Sequence, residues 1–171
     1  MARPLQPYIA KTSFAGDISV SRQFQHYPKL LPNTVNRILF YPGSFNPPHL
    51  GHYTLLHHVF TNAPADLNLI AAFIWPLSDD SVAAKNTDRG QEDDLVLTRK
   101  QRVQLWLGHG LPAYIFVCEP SIASFRSSYA EWEALRNRLA EEVGRDGLTL
   151  EFCCLLGPDC IEKLGGQCHR S

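Results

Sequence analysis

The chain reads as an α/β protein built on a Rossmann-like open parallel sheet with helices on both faces. Two observations predict this. Apolar runs rich in β-branched and aromatic residues recur at 38–41, 67–75, 113–118 and 148–156, and the stretches between them carry helical periodicity bounded by proline and glycine. Strand–helix alternation of this kind gives βαβ units, whose right-handed crossovers lay the strands side by side in parallel. Composition agrees, because 171 residues with 44% apolar and 19% charged side chains suffice for one domain with a real core.

Residues 1–36 are polar, with prolines at 4, 7, 28 and 32 and no sustained period, and read as an extended or partly disordered N-terminal arm. The α/β domain is expected over 37–171. Its first strand, 38–41, is stopped by Pro42 and Gly43. A helix follows, with Asn46 as N-cap, Pro47 at the first helical position, and Tyr53, Leu56 and Phe60 at spacings of three and four. A strand, a glycine turn and a helix N-terminus together present unpaired N–H groups and the positive end of the helix dipole, which favour an anion.

The side chains sharpen that expectation. His49 and His52 stand three apart on one helix face, and Gly51 between them leaves room for a ligand near the backbone. Two imidazoles facing a phosphate can donate hydrogen bonds and stabilise the charge that builds up when a phosphoryl group is attacked. Neither G-x-x-x-x-G-K-[ST] nor G-x-G-x-x-G occurs. His57 and His58 fit no such pattern and read as surface or partly buried residues.

The second strand, 67–75, is closed by Pro76, and 77–94, rich in aspartate and poor in apolar residues, reads as a long solvated loop. A helix is predicted over 97–107, capped by Thr98 with Gln101 at the capping-box position. The third strand, 113–118, leads to a helix over 129–143 with Trp132, Leu135, Leu139 and Val143 on one stripe, so Trp132 is assigned to the core. The fourth strand, 148–156, ends at Gly157-Pro158-Asp159, where another helix opens.

A net charge near −1 and a pI near 6.6 argue against a broad nucleic-acid footprint. No apolar run has the length of a membrane span or the form of a secretory signal, which points to an intracellular protein, cytoplasmic or nuclear rather than mitochondrial. Five cysteines without a C-x-x-C pair read as free thiols rather than disulfides or a metal site.

The stretch Gly43-Ser44-Phe45-Asn46-Pro47, followed by His49-Leu50-Gly51-His52, resembles the nucleotidylyltransferase superfamily marked by H-x-G-H, and most of all the nicotinamide and nicotinate mononucleotide adenylyltransferases. The resemblance covers about residues 37–164. It implies a strand order of 3-2-1-4-5 and a nucleotide held by Gly43, Ser44, Phe45, Asn46 and Gly51. His49 and His52 would be the catalytic pair, with Gly157 and Asp159 as a Gly-x-Asp element against the nucleotide, and Lys85 and Arg102 as candidate phosphate contacts. The implied reaction moves a nucleotidyl group from ATP to a phosphorylated acceptor such as nicotinamide or nicotinate mononucleotide, releasing pyrophosphate, with Mg²⁺ on the phosphates and no metal held by the protein itself.

The family's Ser/Thr-rich element ending in arginine, which follows a fifth strand, is not found before Ser171. The domain is therefore expected to be truncated after the fourth strand, with that strand's edge bare and available for self-association. Two alternatives stand beside the adenylyltransferase: a catalytically inactive nucleotide-binding relative, and a cytidylyltransferase-like enzyme using CTP. An α/β hydrolase is disfavoured by the absence of G-x-S-x-G.

Overall fold

A computed structural model describes residues 1–12, 18–19, 28–88, 90, 95–108, 110–119 and 128–157. In chain order the elements are β1 (Arg3–Pro4), α1 (Gln6–Thr12), β2 (Ile18–Ser19), β3 (Lys29–Leu30), β4 (Val35–Gly43), α2 (Leu50–Asn62) and, after a 3₁₀ turn at Ala65–Leu67, β5 (Leu69–Pro76). There follow α3 (Asp79–Asp88), α4 (Arg99–Leu107), β6 (Ile115–Cys118), α5 (Ser128–Arg145) and β7 (Thr149–Cys154).

The main sheet has the order β2-β6-β5-β4-β7. Its four long strands run parallel, and β2 joins the β6 edge antiparallel. This is the Rossmann-like arrangement predicted, and the four parallel strands follow the expected 3-2-1-4 order. Residues 158–171 lie outside the described part; among the described residues β7 pairs with β4 alone.

Strand alternation divides the core into two layers. Ile38, Phe40, Ala71, Phe73, Trp75 and Phe116 face α5 and α1, whereas Leu39, Tyr41, Ala72, Ile74, Ile115 and Val117 face α2 and α4. Trp132 is a core residue as predicted, its ring stacked on Phe40 with centroids 3.5 Å apart. The chain thus moves outward from β4 with helices on one face, then returns on the other side of β4 with α5 on the opposite face. That reversal puts the switch point between β4 and β7, where open α/β sheets form their crevice.

The structure corrects the sequence reading at four places. Residues 6–12 are not extended arm but helix α1, and Leu5, Tyr8, Ile9 and Leu30 are buried in the α5-side core. Prolines 4 and 7 disguise it, yet Pro7 lies in the first turn, where its missing N–H costs nothing. The second correction lies in 77–94, where residues 79–88 form a helix. Ser78 Oγ accepts from the Ser81 amide at 3.3 Å, Asp79 and Asp80 sit in the first turn and Lys85 in the last, so caps and charges hold a helix of which Val82 alone is buried.

Third, β4 does not stop at Pro42: it runs on to Gly43, with Pro42 opposite Trp75 and Gly43 opposite Pro76. Phe40 O accepts from Leu155 N on the β7 side at 2.7 Å, so Pro42, two residues on, directs its missing N–H to that same side, where β7 has ended. Fourth, α2 begins at Leu50 with His49 as N-cap, not at Asn46. Pro47 precedes Pro48, and a residue before proline is driven away from helical backbone.

No helix among the described residues is long and apolar enough to cross a membrane. Cys118 is buried, which pushes its thiol pKa up, Cys153 is half-buried and Cys154 exposed, and none of the three is in a disulfide.

Candidate active site

The C-terminal end of β4 delivers Gly43, Ser44 and Phe45 directly to the start of α2. Phe45 has the left-handed φ of 48° and is buried. Its ring meets Tyr41 edge-on at 5.2 Å, Trp106 of α4 at 5.3 Å and His52 at 5.1 Å. His52 in turn lies against His49, ring centroids 3.7 Å apart. The result is an aromatic pillar that rises from the core and ends in two imidazoles, His52 half-buried and His49 exposed.

Helix-capping geometry sets the orientation of His52. Its Nδ1 accepts from the His49 backbone N–H at 3.2 Å, so in the neutral ring the proton resides on Nε2. The N3 side chain thus returns to the N-cap backbone, as in a capping box, and histidine fills a place that glutamate or glutamine commonly takes. The pair stands at the positive end of a 13-residue helix, where α2 leaves unpaired N–H groups.

Both glycines of the motif make room for rings of the motif. A Cβ on Gly43 would lie 2.6 Å from the Phe45 ring, and one on Gly51 would lie 3.1 Å from the His49 ring. Gly43 is therefore required by the buried Phe45 ring, whereas a Cβ on Gly51 would crowd the exposed His49 imidazole, before any ligand is considered. Asn46 caps nothing: its side-chain amide donates to Leu95 O and accepts from Leu97 N, both at 2.8 Å, bracing the loop against the approach to α4. Ser44 Oγ is buried and has no hydrogen-bond partner among the described residues.

The remaining sequence-predicted residues divide. Gly157 lies three residues past the end of β7, whose last residue, Cys154, pairs with Phe40 of β4. Asp159 lies outside the described residues. Lys85 is half-buried in the last turn of α3. Arg102 is wholly buried, and that burial corrects its reading as a phosphate contact. Its Nε donates to Leu97 O at 3.0 Å, Nη1 to Ser44 O at 2.6 Å, and Nη2 to Leu77 O and Asp79 Oδ1, each at 2.7 Å. Four of its five N–H groups are thereby used inside the protein.

Asp79 and Trp106 are the participants that sequence reasoning missed. The Ser78-Asp79-Asp80 run carried a helix-start signal that would have located the first. Trp106 was visible only as one apolar residue of its helix. Away from the crevice, His57 Nδ1 meets Tyr114 Oη at 2.8 Å and His58 contacts Asn62, so these two histidines take the surface roles expected of them.

The cytidylyltransferase-like family model matches residues 40–106, which run from β4 through the histidine pair to α4. The match spans less than half of the chain, and over that stretch the sequence is similar to the cytidylyltransferase-like family. No curated protein matches the chain.

Proposed function

We propose that the protein is a nucleotidyltransferase in which a phosphate oxygen of a small phosphorylated acceptor attacks the α-phosphorus of a nucleoside triphosphate. The new P–O bond forms as the bond to the β-phosphate bridging oxygen breaks, and pyrophosphate leaves. The observation that carries this reading is the imidazole pair at the N-terminus of α2, held on an aromatic pillar beside the β4–β7 crevice. Such a corner supplies fixed donors where charge develops, without reorganisation during the reaction. His52, with its proton on Nε2, can donate to a phosphate oxygen, and His49 covers the same anion from the N-cap.

Among the described residues no three His, Cys, Asp or Glu side chains converge as metal ligands. Mg²⁺ prefers oxygen ligands and keeps much of its water, so in this reading it arrives on the triphosphate and neutralises its charge. The favoured donor is ATP and the favoured acceptor a nicotinamide or nicotinate mononucleotide, on the strength of Gly43–His52. CTP with a non-nucleotide phosphate acceptor is the second reading, favoured by the cytidylyltransferase-like match.

Pyrophosphate release, measured with ATP and CTP against a panel of phosphorylated acceptors, separates the two readings. His49→Ala and His52→Ala should each cut turnover by about a hundredfold, the scale of losing one transition-state donor. His58→Ala should leave it within about twofold, as expected of an exposed position remote from the chemistry. Equal small effects at all three positions would refute the role given to the pair.

A further inference from the structure

Two successive peptides of the loop have their carbonyls fastened, one to the β5–α3 junction and the next to α4. Gly43 O accepts from Leu77 N at 3.0 Å, and Ser44 O accepts from Arg102 Nη1 at 2.6 Å. In a trans peptide the N–H points opposite to the C=O. The Ser44 N–H is therefore turned away from Leu77 and the Phe45 N–H away from Arg102, and neither has an acceptor among the described residues. Arg102 also holds Leu77 O, so a single guanidinium ties the junction to the loop from both sides.

Asp79 completes the arrangement. Its Oδ1 receives Arg102 Nη2 at 2.7 Å and the Arg99 amide at 2.6 Å, while half its side-chain surface stays in solvent. A buried cation thus has one carboxylate partner and three carbonyl acceptors, which answers the cost of burying it.

We propose that Arg102, held by Asp79, is a positioning residue that acts on the anion site through the backbone of residues 43–45 rather than by touching the anion. Arg102 sets which way the loop's N–H groups face; the pillar under His52 sets where the imidazoles stand. This inference rests on the anion-binding reading of the corner given above.

The test uses the full-length chain with Arg102→Lys, whose ammonium cannot span the four acceptors, and Asp79→Ala, an exposed change that removes the shared carboxylate. Amide hydrogen exchange followed by NMR reports on Leu77 N–H, which donates to Gly43 O, and on Leu97 N–H, which donates to Asn46 Oδ1. Ala72 N–H and Leu155 N–H, bonded to Tyr114 O and Phe40 O, are the references. Calorimetry measures the binding of inorganic tripolyphosphate.

Exchange at Leu77 and Leu97 should rise about tenfold or more with the references within about twofold, and tripolyphosphate should bind about tenfold more weakly, as expected for lost charge-assisted bonds. Unchanged exchange at Leu77 and Leu97, or a rise shared equally by the references, would overturn the proposal. So would a loosened loop that binds tripolyphosphate as tightly as the wild type does. Should Arg102→Lys fail to fold, Asp79→Ala decides on the same criteria. If the wild-type protein binds no tripolyphosphate, the anion-site reading falls, and the exchange data alone decide whether Arg102 holds the loop.

Discussion

Gly51 shows how one residue type at one position serves two masters. It lies in the first turn of α2, where alanine would favour the helix by about 1 kcal/mol. A Cβ there would meet the His49 ring at 3.1 Å, and since His49 is exposed the ring can swing aside. Gly51→Ala is therefore expected to keep or raise the thermal midpoint while cutting turnover about tenfold through a misplaced imidazole. Full activity at unchanged stability would show that the exact place of the His49 ring is unimportant. Gly43 is the contrasting case, because its obstruction is the buried Phe45 ring at 2.6 Å and the neighbour cannot leave. Spacing and residue type made the histidine pair legible in the sequence; the reason for each glycine was not, since it depends on where a ring goes.

Elements were legible in proportion to their amphipathic period. α5 carries an apolar stripe over 18 residues and α4 a Thr98–Gln101 capping box, and both stand where the sequence put them within a few residues. α3 buries Val82 alone and α1 is only seven residues long with a proline in its first turn, so period had little to report in either. Burial of α1 nevertheless gives it weight. Ile9 is 2% exposed in the core shared with α5, and Ile9→Ala should cost about 2–5 kcal/mol in urea unfolding. A loss below about 0.5 kcal/mol, the scale of surface changes, would return residues 6–12 to the status of an arm.

At the scale of the whole molecule, the N-terminal segment is fastened across the fold by Tyr8, whose hydroxyl donates to Asp146 Oδ2 at 2.5 Å, and by Arg3, paired with the same carboxylate at 2.5 Å. The Tyr8 hydrogen bond foremost, and Arg3 with it, hold the Asp146 carboxyl below its usual range. Its stabilising contribution is therefore present above the unfolded carboxylate pKa and lost as pH falls through the lowered folded value. Burial, reinforced by Asp146, raises the Tyr8 phenol pKa, so that contribution is complete below the ordinary phenol value and lost as pH rises through the folded one. Asp146→Asn should lower the urea midpoint at neutral pH, with the difference from wild type shrinking well below about pH 4, where both forms lack the charge. A difference that stays constant down the acid limb would separate Asp146 from the pH dependence.

Local chemistry determined much of this protein by itself. Four apolar runs with helical stretches between them specify the parallel sheet, and Gly43–His52 specifies a strand, a loop and a helix start that suit an anion, because these depend on period, backbone freedom and capping within a few residues. What tertiary structure alone decided is the direction in which side chains are spent. Arg102, read along the chain, is a cation that could meet a phosphate; folded, it lies at the one place where Ser44 O, Leu77 O, Leu97 O and Asp79 converge. Asn46, read as a helix cap, braces residues 95–97 instead. All but Leu97 stand far off in sequence: 58, 25 and 23 residues from Arg102, and 49 and 51 from Asn46. No local pattern encodes contacts at such separations, for they exist only once the sheet has brought β4, the β5–α3 junction and α4 together.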